Sequence, residues 1–440
     1  MAPAGSYESL MAAIQGGADS VYFGIGKLNM RSRSSQNFTL SDLEKISVIC
    51  ADNKLKSYIT LNTIIYDSEL QEMKRIVDAA KQNNISAIIA SDLSVIQYAR
   101  SRDVEVHMST QTNITNIEAV KFWANFSDVM VTARELTLKD VGAITKAIKE
   151  EQITGPSGEL VKIELFVHGA LCMAVSGKCY LSLDNMNFSA NRGACLQLCR
   201  RGYKVTDMDG EFELAIENEY IMSPKDLKTI HFIDKIIKAG VRIFKIEGRG
   251  RSADYVKVTS ECYREAANAF FNGNYSEEQI AKWNRRLESV YNRGFWDGYY
   301  LGQKMGEWTK QYGSLATKRK TYLGKVTNYF SKIGVAEIKL ETRDLQKGDE
   351  IQITGPTTGV YEDVINEIRV DDNVVEKAAK GVCCSIPTNA LVRRMDKVYK
   401  IEKNENNNQY LINKNTNELK DETIKHKSFN QVNIINYKNY

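Results

Sequence analysis

Short β-rich runs alternate with amphipathic helical stretches through the first half of this chain, and that alternation limits its fold more than any other feature. Apolar, β-branched runs occupy residues 21–25, 57–64, 87–91, 104–109, 129–133, 163–168 and 242–247. Between them lie SDLEKISVICADN, SELQEMKRIVDAAKQNN, NIEAVKFWANF and KDVGAITKAIKEE, with apolar residues three and four apart and Asp or Ser at several starts. Strands that alternate with helices build βαβ units around a parallel sheet. Polar residues follow nearly every run: Asn62, Ser91 and Asp92, Ser109 to Gln111, Arg134 and Glu135, His168, Glu247 and Arg249. An open sheet concentrates its chemistry at one switch point, whereas a barrel gathers it from many strand ends. The expected fold is therefore α/β: a TIM-like barrel over residues 1–310, with residues before Pro3 and around Ile221 supplying the remaining strands.

The alternation breaks after Gly169. Residues 170–220 hold four cysteines in a stretch rich in Asn and Gly, which reads as an insertion after a barrel strand. Helical spacing resumes over 224–239 and from 253 to about 300. Residues 320–400 differ, with strand alternation, Gly-Asp and Gly-Pro turns and no long helix, so a small all-β barrel is expected there. Its run LQKGDEIQITGP is similar to the β-barrel domains of translation factors, a pointer to RNA that competes with a purely structural or dimerising role. Residues 401–440 are rich in Asn and Lys and are expected to form a disordered tail.

Four of the eight cysteines, Cys172, Cys179, Cys195 and Cys199, fall between residues 172 and 199, separated by six, fifteen and three residues. The opening residues lack the basic and apolar regions of a secretory signal, and no stretch approaches the roughly 18 apolar residues of a membrane span, so a cytoplasmic protein is expected. In such a chain a cysteine cluster favours metal over disulfides. Four thiolates suit an iron–sulfur cluster or tetrahedral zinc. The wide first spacing and the position just past a strand favour iron–sulfur, with zinc left open. Lys178, Arg192, Arg200 and Arg201 would offset the thiolate charge. Cys50 and Cys262 fall in helical patterns as small buried hydrophobes, and the Cys383–Cys384 pair reads as inert. With four histidines and no HExxH, GxSxG or Walker loop, the common zinc hydrolase, serine hydrolase and NTPase sites are not indicated. The GxG at Gly24–Gly26 lacks a third glycine, and the net charge of +4 permits a nucleic-acid partner without requiring one.

The segments APAGSYESLMAAIQGGADSVYFG, ARELTL, FVHGALCMAVSGKCYLS, RGACLQLCR, MSPKDL and FKIEGRGRSADYV together resemble the collagenase-like peptidase family of unassigned catalytic type, over about residues 2–400. The layout is most similar to its tRNA hydroxylation protein P branch. That resemblance implies an enzyme forming 5-hydroxyuridine at the wobble position of tRNA, with a [4Fe-4S] iron–sulfur cluster and prephenate as co-substrate. It also implies that Cys172, Cys179, Cys195 and Cys199 are the ligands. Cys199 is the least secure of them, because a ubiquinone-pathway branch draws its fourth cysteine from elsewhere. The chain departs from the branch in a short stretch between Arg200 and Tyr220 and in a beginning close to the APAG motif.

For such a reaction Arg31, Arg33, Arg249 and Arg251 are candidate anchors for RNA phosphates and a small carboxylate co-substrate, since guanidinium pairs bidentately with both. Asn62, Gln111, Arg134 and Lys245 are further substrate-binding candidates. Glu135, His168 and Glu247 are candidates for acid, base or proton transfer, against internal Arg–Glu and Lys–Glu pairing and a satisfied buried histidine. Two other readings stand beside this one. A collagenase-like peptidase would need an activated nucleophile, for which His107 and Ser109 offer little. A zinc-stabilised RNA-binding scaffold would fit the β-domain better than the polar strand ends.

Overall fold

The structure, a computed structural model, describes residues 1–33, 36–203, 221–303 and 306–404. Seven parallel strands follow in order: β1 (Ala2–Pro3), β2 (Ser20–Gly24), β3 (Lys56–Leu61), β4 (Ala87–Ala90), β5 (Val106–Met108), β6 (Val129–Val131) and β7 (Lys162–Ala170), each pairing with the next. Helices α1 (Tyr7–Gln15), α2 (Leu43–Asp52), α3 (Leu70–Gln82), α4 (Leu93–Ser101), α5 (Ile117–Ala124) and α6 (Leu138–Glu150) connect them. The helices begin where the sequence supplies acceptors. Ser6, Asp92, Asn116 and Thr137 each take a backbone N–H of the first turn, a cap worth about 1 kcal/mol. The strands are buried nearly throughout, as expected of a parallel sheet covered on both faces.

After the cysteine segment, which carries the short α7 (Leu181–Met186), come β8 (Asp226–Lys228), α8 (Ile233–Lys238), β9 (Ile243–Ile246), α9 (Ala253–Phe271), α10 (Glu277–Ser289) and β10 (Phe295–Trp296). Strand β9 pairs in parallel with β7. On its other side, Met1 N donates to Phe244 O at 2.8 Å and Ile246 N to Met1 O at 3.1 Å, so β9 also bonds to the chain leading into β1. One large hydrophobic core lies between the sheet and the helices. A separate small cluster of Tyr22, Tyr58, Ala87 and Ile89 forms from alternate residues of the same strands. The mixed α/β expectation therefore holds as a parallel sheet carrying helices.

Two expectations in this region are corrected. The helical spacing over 224–239 becomes a helix only from Ile233, because Asp226–Lys228 pairs antiparallel with residues 168–170 of β7. The Thr229 hydroxyl then donates to Val167 O at 3.0 Å, so tertiary pairing overrides the local period. The extra strand expected near Ile221 is this β8, and it is not part of the parallel run.

Residues 318–403 form a second unit: β11 (Lys318–Phe330), β12 (Val335–Leu340), β13 (Leu345–Gln346), β14 (Glu350–Gly355), β15 (Gly359–Val364), β16 (Ile368–Val370), β17 (Asn373–Val375), β18 (Lys377–Ala378), β19 (Cys383–Pro387) and β20 (Lys397–Lys403). Eight of these pair antiparallel in the order β15-β14-β20-β11-β12-β19-β16-β17 around their own core of Leu323, Val326, Ile338, Ile351, Ile353 and Ile386. The expected β-barrel is open in its strand pairing. Ile365 turns back to bond Asp349 and Gly348 at 2.9 and 2.8 Å, which leaves β15 paired with β14 alone. Gln15 of α1 joins the two units, accepting from Val360 N at 2.9 Å and donating to Thr358 O at 3.0 Å. Residues 401–403, expected to open the tail, lie in β20, and residues 405–440 lie outside the described residues.

Gly169 sets how β7 ends. Its φ is +105°, and a Cβ there would lie 2.3 Å from Glu247 O and 2.8 Å from the Tyr255 hydroxyl. Gly158 also has a positive φ, +82°, but an added Cβ would meet nothing within 4 Å. We expect Gly169→Ala to lower stability by about 2 kcal/mol or more in urea unfolding, against about 1 kcal/mol for Gly158→Ala. Equal midpoints for the two variants would refute the steric account.

Candidate active site at the carboxyl ends of the parallel strands

Glu247, the residue after β9, is the centre of the site. Arg31 donates to its Oε1 from Nε at 3.1 Å and Nη2 at 2.7 Å. The Tyr22 hydroxyl donates to Ile246 O at 2.7 Å and lies 3.4 Å from Glu247 Oε2. Arg249, 5% exposed, donates from Nη1 to Asn29 Oδ1 at 2.9 Å and Thr60 Oγ1 at 2.7 Å. Arg134 covers the Phe166 ring at 4.4 Å, with its buried Nε lacking a hydrogen-bond partner among the described residues. Burial alone would raise the Glu247 carboxyl, but the Arg31, Arg134 and Arg249 guanidiniums outweigh it and hold the group down at about 2. Burial in turn lowers Arg249 to about 10, against the pull of Tyr22 and Glu247. Three guanidiniums facing one carboxylate leave a surplus of two positive charges, a setting made for an added anion.

The cysteine segment is fastened to this centre by backbone and arginine contacts. Gly193 has a φ of +75°, and a Cβ there would lie 2.2 Å from Asn29 O; its carbonyl accepts from Ser32 Oγ at 3.0 Å. Arg192 forms a two-pronged pair with Glu69, donates to Ile64 O at 2.7 Å and stacks 3.8 Å over Tyr66. Arg200 donates to Leu171 O at 2.7 Å, Ser223 Oγ at 3.0 Å and Pro224 O. All eight cysteines are free thiols. Burial pushes the Cys199 thiol up to about 11 against the opposing charge of Arg200, with Cys172, Cys195 and Cys179 adding to the rise. Cys179 is raised too, by burial and then by Cys172 and Cys195. Cys172, Cys179 and Cys195 thus act electrostatically on Cys199, and Cys195 also acts on Arg31, which links the cysteine segment to the Glu247 centre. Among the described residues, no three Cys, His, Asp or Glu side chains form a group able to hold a single metal ion.

The structure thus gathers Arg31, Arg134, Arg249 and Glu247. Asn62 and Gln111 lie beside them: Asn62 Nδ2 donates to Ser109 Oγ at 3.2 Å and Gln111 Oε1 at 3.3 Å. Arg33 caps the Phe188 ring of the cysteine segment at 4.2 Å. Three candidates lie elsewhere. Lys245 is buried below the centre, 2.6 Å from Glu164 Oε1, with the Tyr22 ring 4.8 Å away. Glu135 is exposed and acts electrostatically on Tyr300. His168, a candidate for proton transfer weighed against a satisfied buried histidine, takes the buried place: a bulge between Phe166 and His168 turns its ring toward Tyr255, Tyr263 and Phe295, with centroids 5.5–5.8 Å away. Burial, then Lys228 and Arg251, lowers it to about 3, so it stays neutral. His107 is paired with Glu105 at 3.0 Å rather than with Ser109. Tyr22, Asn29 and Thr60 complete the centre without having been singled out by the sequence; the one hint was that Thr60 stands near the carboxyl end of its strand.

Comparison with known proteins places the chain in a family. The model described as Peptidase family U32 matches residues 5–310. A collagenase of Porphyromonas gingivalis is 59% identical over 405 residues, covering 92% of this chain and 98% of that one. The tRNA hydroxylation protein P1 of Bacillus subtilis is 31% identical over 390 residues, covering 86% and 89%. A 23S rRNA 5-hydroxycytidine synthase of Escherichia coli is 32% identical over 317 residues, covering 70% of this chain and 46% of that one.

Because its folded value is depressed, Glu247 stabilises the fold above its unfolded value of about 4.5 and loses that contribution as pH falls toward about 2. We expect wild type to lose on the order of 2–3 kcal/mol more than Glu247→Gln between pH 5 and pH 2 in urea unfolding. Parallel pH curves for the two proteins would show that the arginines do not hold this carboxylate down.

Proposed function

The chain belongs to peptidase family U32, and from that premise we propose that it is an RNA-modifying hydroxylase whose substrate is a tRNA uridine at the wobble position, forming 5-hydroxyuridine. The observation that carries the reading is the excess of guanidinium over carboxylate at Glu247, next to four clustered free thiols. A peptidase needs an activated nucleophile or a metal-bound water. Two of the histidines do not serve: His168 is caged among aromatic rings and His107 is paired with Glu105. Relatives named for tRNA and rRNA hydroxylation, at 31% and 32% identity, support an RNA substrate.

The donor set fits an iron–sulfur cluster held by Cys172, Cys179, Cys195 and Cys199. Four thiolates suit an iron–sulfur cluster or a tetrahedral zinc ion, and the iron–sulfur reading is taken because hydroxylation calls for redox chemistry that zinc does not supply. When bound, such a cluster supplies one-electron chemistry beside the anion pocket. The residues of the chain do the rest. Arg31, Arg134 and Arg249 bind and orient the carboxylates of a small co-substrate, for which prephenate is the candidate. Glu247 keeps the guanidiniums in place when that site is empty, and Tyr22 holds the backbone at Ile246 through its hydroxyl. The parallel sheet, bonded edge to edge through β9 and Met1, acts in this reading as the TIM-like barrel that presents these residues on one rim.

A second reading, a collagenase-like peptidase, draws on the 59% identity to the Porphyromonas gingivalis collagenase. Expression of this chain in bacteria that lack wobble-uridine hydroxylation separates the two. We expect nucleoside analysis of tRNA to show 5-hydroxyuridine restored, with restoration lost in Arg31→Ala and in Cys179→Ala. Unmodified tRNA, together with gelatin cleavage by the purified protein, would reverse the assignment.

A further inference from the structure

The cysteine segment has an outward surface that the site chemistry does not use. Tyr180, next to Cys179, is 76% exposed, more than any other large hydrophobic side chain among the described residues. Met173, Val175 and Met186 of the same segment are 40–47% exposed, so the cysteine segment carries apolar side chains into solvent. Burying such side chains without a partner's help would be the usual outcome for a monomeric domain. The turn that leads to Tyr180 is seated over the strand ends: Thr110 Oγ1 lies 3.5 Å from Ser176 Oγ, and a Cβ on Gly177 would lie 2.9 Å from Gln111 Cγ. Charge accompanies the apolar surface. Residues 171–203 contain Lys178, Arg192, Arg200 and Arg201 against Asp184 alone, a net +3 (four minus one) in a chain whose total is +4. Arg192 and Arg200 are engaged in tethering the segment, whereas Lys178 and Arg201 are exposed, as is Arg33 across the rim.

We infer that Tyr180 is a stacking platform for an unpaired base of a single-stranded RNA loop, with the exposed Lys178, two residues before it, for a flanking phosphate. This rests on the RNA-hydroxylase reading and adds to it the part of the surface that holds the substrate. Enzymes acting on a base must take it out of its stack, and an exposed aromatic ring beside the reacting groups replaces the lost neighbour. Stacking tolerates any base, so the platform supplies affinity and position, while recognition of the base edge belongs to the strand-end residues. Lys178 acts by charge and makes binding depend on salt.

The test is binding of an RNA hairpin with a seven-nucleotide uridine-containing loop to the full chain purified anaerobically, compared with Tyr180→Ala, Tyr180→Phe and Lys178→Ala. Matching circular dichroism and iron content establish that each variant is folded. Loss of one stacked base is expected to weaken Tyr180→Ala by about tenfold or more, while Tyr180→Phe, which keeps the ring, stays within about twofold of wild type. Lys178→Ala should bind more weakly and with a shallower salt dependence. If wild type binds the hairpin and Tyr180→Ala binds it equally well, the platform is wrong and the hydroxylase reading stands. If wild type binds no RNA, both fall. If Tyr180→Ala keeps its RNA affinity but loses affinity for a denatured collagen peptide, the surface belongs to a peptide and the inference is overturned.

Discussion

A carboxylate taken almost out of water beneath guanidiniums is a costly arrangement unless every charge finds a partner, and much of the upper face of this protein is organised to meet that requirement. Glu247 takes two bonds from one guanidinium, that of Arg31. Arg31 lies on the loop after β2, and the same loop provides Asn29 to hold Arg249 and Ser32 to hold Gly193. The path from the sheet to the cysteine segment therefore runs from Glu247 through Arg31 and its loop to the chain just before Cys195. Removing the carboxylate would leave buried like charges facing one another and would loosen the loop that seats the thiols. The arrangement is useful because it is incomplete: a site with more guanidinium than carboxylate is ready for an anionic molecule, while the same groups stay fixed in its absence.

The cysteine segment shows how an irregular stretch is made rigid without a core of its own. Among its described residues only short helical pieces form. Its hold on the scaffold comes from arginines donating to backbone carbonyls, Arg192 to Ile64 and Arg200 to Leu171, and from a glycine pressed against Asn29. Arginine suits this role because its planar fork makes several bonds from one stem. The cations expected from sequence to balance thiolate charge therefore divide their work, with Arg192 and Arg200 serving as struts and Lys178 and Arg201 facing solvent.

Much of the fold was legible in the chain. The strand runs from 21–25 through 242–247 overlap β2 to β7 and β9, because buried parallel strands carry long apolar, β-branched stretches bounded by turns. The region after the cysteines was less legible. Leu227, Ile230, Ile233 and Ile236 repeat at helical spacing, yet the first of them sits in a strand because β7 runs on past the sheet and offers unpaired backbone groups. Spacing cannot reveal an open edge that another segment creates. His168 takes its buried alternative for a related reason. One extra residue in β7 reverses which face the next side chain occupies, and that bulge leaves no mark in the sequence.

The sequence by itself determined the βαβ periodicity, the separate β-rich unit and the soft-ligand character of the cysteine segment, since each depends on residue type and spacing along one stretch of chain. It also named Arg31, Arg134, Arg249 and Glu247 as polar residues at or near strand ends. Only the tertiary structure decided that these four meet, that Lys245 instead lies buried against Glu164, and that Tyr22, Asn29 and Thr60 complete the group. The physical reason is that a charge network is set by distances across the sheet. Arg31 and Glu247 are 216 residues apart in the chain and 2.7 Å apart in space, and it is the folding of the parallel strands beside one another that brings them together.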